Sequence, residues 1–117
     1  MLFSLRSEHL QGFETAAIEN FEDRGVKYLR ENPPGDAATK SDDELRLRIR
    51  GSIVRARPYG LTTERQVMSF VSATFLAGER FDTSFDWARG ILGNRHNSPD
   101  DKAQLVLLFA HVQRGAS

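Results

Sequence analysis

The chain of 117 residues has no cysteine, so it has no disulfide framework, no thiolate zinc site and no thiol nucleophile. It has no run of about 18 apolar residues, which excludes a bilayer-spanning helix. Residues 1–10 lack the basic start and apolar stretch of a secretory signal. Net charge is absent too: 16 basic residues balance 16 acidic ones, which weighs against a surface built as a whole to hold nucleic acid or an anionic membrane. There is no glycine-rich phosphate loop and no serine in a nucleophile elbow, and His9, His96 and His111 stand outside any metal-ligand spacing. What remains is a soluble, cytoplasmic protein of one domain, with no implied cofactor or metal and little that marks an enzyme.

What is present is helical periodicity. Caps and breakers divide residues 1–117 into about five segments with helical apolar spacing, which predicts an all-α, single compact domain in mainly antiparallel packing. The first helix opens at Ser7 and stops before Pro33 and Pro34, with Leu10, Phe13, Ala17, Phe21 and Tyr28 on one arc and Gly25 as its weak point. A Pro, Gly, Asp and Ala mixture at about 32–40 reads as an exposed, mobile linker. Ser41-Asp42-Asp43-Glu44 is a capping box that starts a second helix, ended by Pro58, Tyr59 and Gly60. Thr62 caps a third, whose apolar residues cover half its circumference and make it the central helix. After Gly78 a short fourth helix carries Phe81, Phe85, Trp87, Ile91 and Leu92, and Ser98-Pro99-Asp100-Asp101 starts a fifth.

The second helix, 45–57, carries Arg46, Arg48, Arg50, Arg55 and Arg57 around an inward stripe of Leu45, Ile49, Ile53 and Ala56. The simplest reading has these arginines pair with the acidic first helix. A sharper one makes Leu47 and Val54, which lie opposite the stripe and are rimmed by Arg46, Arg50 and Arg57, a docking surface for an acidic protein. A third has the helix contact DNA as a regulator, against which stand the zero net charge and the breakers Pro58 and Gly60. Glu14 falls inside the apolar arc of the first helix and demands either an ion pair, with Arg48 or Arg55, or the role of a general acid in a small hydrolase. Asp82 and Asp86 read as a capping and a surface carboxylate.

The fifth helix is apolar on every side. Leu105, Phe109 and Val112 are expected to form its core face, while Leu107, with Ala103 and Ala110, points away and offers an interface to another protein or to a second copy in a homo-oligomer.

The run Arg57-Pro58-Tyr59-Gly60-Leu61-Thr62-Thr63-Glu64-Arg65-Gln66-Val67, followed by Phe75, Gly78, Phe81-Asp82 and Trp87, resembles a group of small helical proteins encoded among bacterial type VI secretion genes. The opening Met-Leu-Phe and the run Phe21-Glu22-Asp23-Arg24 are also similar. Gln66 stands where those relatives carry an acid, and the segment before Trp87 is shorter. The resemblance spans residues 45–92 and carries over no catalytic residue. It implies a non-catalytic accessory to a secreted effector or spike protein, acting either as an immunity protein or as a chaperone or adaptor that holds the effector for loading.

Overall fold

A computed structural model describes residues 15–116. They form six α-helices: α1 Thr15–Glu31, α2 Asp42–Ala56, α3 Glu64–Ala77, α4 Phe81–Ser84, α5 Asp86–Gly93 and α6 Pro99–Ala116. Short 3-10 turns at Ala37–Thr39 and Arg57–Tyr59 flank α2, and no strand occurs among the described residues.

The helix starts follow local chemistry. Ser41 and Glu44 close a reciprocal capping box in which the Glu44 amide donates to the Ser41 hydroxyl and Glu44 accepts from the Ser41 amide, both at 3.1 Å. The start of α3 is one residue later than Thr62: Thr63 is the cap, and its hydroxyl accepts from the Gln66 amide at 3.1 Å. Gln66 Oε1 accepts in return from the Thr62 and Thr63 amides, while its Nε2 donates to Asp100 Oδ1 at 2.8 Å. A glutamate could close the same box, but it has no proton to offer Asp100 when ionised, so the amide ties the start of α3 to α6.

The expected fourth helix is two. Ser84 and Thr83 turn their hydroxyls back onto the Arg80 carbonyl, a local bond that competes with helix propagation, and Phe85 is extended at φ −118° and ψ 136°. The break stacks both Phe85 and Phe81 against Trp87, with ring centroids 5.7 and 6.0 Å from it.

Helix α3 is the centre. It is buried on nearly every side, and its two flanks close separate clusters of core residues. Val67, Met68, Val71 and Phe75 pack against α1 and α2 through Phe21, Leu29, Leu45 and Ile49. Phe70, Ala73 and Leu76 pack against Phe81, Leu92, Val106 and Ala110 from α4, α5 and α6. Gly25 is a contact rather than a weak point: a Cβ there would stand 2.7 Å from Ile49 Cδ1, so its absence lets α1 seat closely on α2. Residues 32–40 are largely exposed but anchored. Ala37 is buried in the first cluster, and Gly35, at φ +56°, lies against the Phe75 carbonyl, which a Cβ would approach to 2.4 Å.

Candidate protein-binding surfaces

The inward stripe of α2, Leu45, Ile49, Ile53 and Ala56, is buried as its spacing predicts, and this fixes where its arginines point. On one flank Arg50 grips Glu22 of α1 bidentately, Nε to Oε2 at 2.8 Å and Nη2 to Oε1 at 2.9 Å. Glu22 is only 1 % exposed, so this is a desolvated carboxylate held by a half-exposed guanidinium. Arg46 pairs with Asp23 and lies 3.9 Å from Glu22. The hydrogen bonds to these carboxylates, followed by their charge, raise both guanidinium pKa values above the ordinary arginine value.

On the other flank the arginines turn away from α1. Arg48 lies over the Phe75 ring, 4.2 Å from its centroid, and donates to Thr74 Oγ1 at 3.1 Å. Arg55 pairs with Asp82. Glu14, for which Arg48 or Arg55 is the expected partner, lies outside the described residues together with the hydrolase reading attached to it.

Asp82 is the polar centre that the sequence hides. It is buried, not a surface cap, and accepts from Arg55 and from the Tyr59 hydroxyl at 2.9 Å. Burial, then the neighbouring Asp82 carboxylate, pushes the Tyr59 phenol above its ordinary 10.0. Tyr59 also fixes α6, since its carbonyl accepts from Lys102 Nζ at 3.1 Å. Within the Arg57 to Asp82 stretch that carries the family resemblance, Tyr59 and Asp82 therefore form one structural contact that joins the end of α2 to α4.

The arginines that could grip a foreign acid or a phosphate are thus mostly engaged by the chain's own acids. Of the six residues singled out as partner-binding, Arg46 and Arg50 are tied to α1. Leu47 and Val54 are 66 % and 63 % exposed on the outer side of α2, and Arg57 is exposed beyond its end.

Leu107 lies elsewhere and faces the other way. It is half-buried and packs against the second core cluster, along with buried Ala103, Val106 and Ala110. The core face assigned to α6 from sequence is therefore reversed: Leu108 and Val112 are 57 % and 63 % exposed, and Phe109 is exposed too. The reason is packing distance. Ala103 and Ala110 let α6 approach α3, whose own Ala73 is fully buried, and the larger side chains are left on the outer side. Phe109 is backed by Trp87, with ring centroids 5.8 Å apart, and Trp87 is fixed by donating to Gln113 at 3.2 Å. The result is a stripe of Leu105, Leu108, Phe109 and Val112 on a firm aromatic base. Stripes of this type, with anchored aromatics and little charge at their centre, are what protein interfaces use.

One cleft of about 470 Å³ lies between the start of α3 and α6, with Arg65, Gln66, Ser69, Asp100 and Gln104 on its walls. Among the described residues no group of three acidic or histidine side chains converges as metal ligands, and no helix is long and apolar enough to cross a membrane. Comparison with protein-family models, with curated proteins and with solved structures gives no match.

Proposed function

We propose that this chain is a non-catalytic protein-binding module, an adaptor or chaperone that holds a secreted effector or spike protein of a type VI secretion system. The observation that carries the reading is the outward stripe of α6, where Leu108, Phe109 and Val112 stand in solvent on a base of Trp87. Large apolar side chains that the core does not need are costly to leave in water, and a partner that covers them gains from their burial. An immunity role working through arginines on acidic catalytic groups finds less support, since Arg46, Arg50 and Arg55 already serve Asp23, Glu22 and Asp82. The same engagement leaves a DNA-reading role for the 45–57 segment few guanidiniums beyond the exposed Arg57. The type VI assignment comes from the resemblance of residues 45–92.

Co-expression with the effector and spike proteins of the same organism tests the reading. The complex is expected to survive high salt, because its centre is apolar, and to be lost in Leu108→Asp while that variant folds normally. A complex that dissolves in moderate salt, or that keeps its affinity in Leu108→Asp, contradicts it.

A further inference from the structure

The outward face of α2 takes no part in that role. Leu47, Gly51 and Val54 recur at helical spacing opposite the buried Leu45, Ile49 and Ile53, and all three are exposed. Glycine weakens the interior of a helix, yet a Cβ at Gly51 would meet nothing within 4 Å, so no contact among the described residues accounts for it. A small residue between two exposed apolar ones is what allows a second helix to approach closely.

The charges along this face identify that helix. Asp43 lies toward the start of α2 and Arg57 beyond its end, while Arg46, Arg48, Arg50 and Arg55 between them are engaged by Asp23, Thr74, Glu22 and Asp82 of their own chain. At 100° per residue Asp43, Arg50 and Arg57 fall on one side of the apolar stripe, and Glu44 and Arg55 on the other. A second copy running antiparallel, related by a two-fold axis beside Gly51, brings like side against like side. Leu47 then faces Val54 of the second copy and Asp43 faces Arg57, each contact occurring twice. Asp43 and Arg57 are exposed, and among the described residues neither side chain makes an ion pair within its own chain. Arg50 approaches its own copy near the axis, but each Arg50 brings the Glu22 carboxylate that it grips, so the charge there is compensated. A foreign acidic helix would find the negative start of α2 against it and most of its arginines occupied.

We propose that the outer face of α2 is a self-complementary interface through which two copies of this chain form an antiparallel homodimer centred on Gly51. This concerns a different surface from the α6 stripe and stands whichever protein that stripe holds.

Sedimentation equilibrium of the full chain, from micromolar to near-millimolar concentration, tests the proposal. The parent chain is expected to show a monomer–dimer equilibrium. Gly51→Arg is expected to be monomeric with an unchanged circular dichroism spectrum and a cooperative melt, because its side chain has open space in the monomer. Asp43→Arg and Arg57→Asp should each weaken the dimer by about tenfold, and the double variant should recover to within about threefold, since an inverted charge pattern is still self-complementary. A parent chain that stays monomeric overturns the proposal, as does a dimer that ignores Gly51→Arg. A dimer lost in Leu108→Asp also overturns it and assigns self-association to α6. If the parent is monomeric and Leu47→Asp abolishes binding of an acidic protein, the face belongs to that protein instead. Failure of the adaptor reading would show only in co-purification and would leave the dimer unchanged.

Discussion

Helices α2 and α6 both lie against α3, and both leave apolar side chains in solvent, but they reach that state by opposite routes. Helix α2 turns its large residues inward, Leu45, Ile49 and Ile53, and ties most of its arginines to Glu22, Asp23 and Asp82. Helix α6 turns its small residues inward, Ala103, Val106 and Ala110, and presents Leu108, Phe109 and Val112 outward. The difference separates what holds the fold from what is left over. In α2 the exposed pair Leu47 and Val54 sits within a frame of charges, whereas the α6 stripe rests on stacked aromatic rings and has little charge at its centre.

The strongest test of this contrast is the polar anchor of α2. Asp82→Ala leaves the part-buried Arg55 and the Tyr59 hydroxyl without their acceptor, and is expected to cost about 3–5 kcal/mol of stability in a denaturant titration. Next comes the orientation of α6. Leu107→Asp places a carboxylate against the second core cluster and should cost about 2–3 kcal/mol, while Leu108→Asp should stay within about 0.5 kcal/mol of the parent. Equal losses at the two positions would break the contrast.

The two helical glycines sharpen it further. Gly51→Ala in dilute solution should gain about 1 kcal/mol, the ordinary difference in helix propensity, because its Cβ enters open space. Gly25→Ala should show no such gain, because its Cβ displaces Ile49.

The smallest expected effect is on pH dependence. The Tyr59 phenol is raised in the fold above its ordinary 10.0, so the folded state retains this proton more tightly than the unfolded chain. Its contribution is complete below that value and is lost as pH rises through the folded pKa. Melting temperatures across the alkaline range should therefore fall more steeply for the parent than for Tyr59→Phe.

Much of this architecture is legible in the chain itself. The capping box at Ser41, the stop at Gly78, the inward stripe of α2 and the central place of α3 follow from local chemistry and periodicity. The pairing of arginines with the first helix holds for Arg46 and Arg50, where opposite charges lie on adjoining helices. The reading failed where tertiary distance decides. Large apolar residues on α6 outweigh alanines on a helical wheel, but alanines permit the close approach to α3, so the face was reversed. Asp82 resembles a cap because its partners, Arg55 and Tyr59, lie more than twenty residues earlier in the chain, and no local pattern announces such a contact. The break at Phe85 depends on two hydroxyls returning to one carbonyl, a choice that helix periodicity does not register.

The central claim is that the outward faces of α2 and α6 meet different partners. A photo-crosslinking residue placed at position 47 or at position 108, activated in the native organism, tests it most directly. The account predicts that position 47 captures a second copy of this chain and position 108 captures a secreted effector or spike protein. Capture of that foreign protein from position 47, with none from position 108, would contradict it.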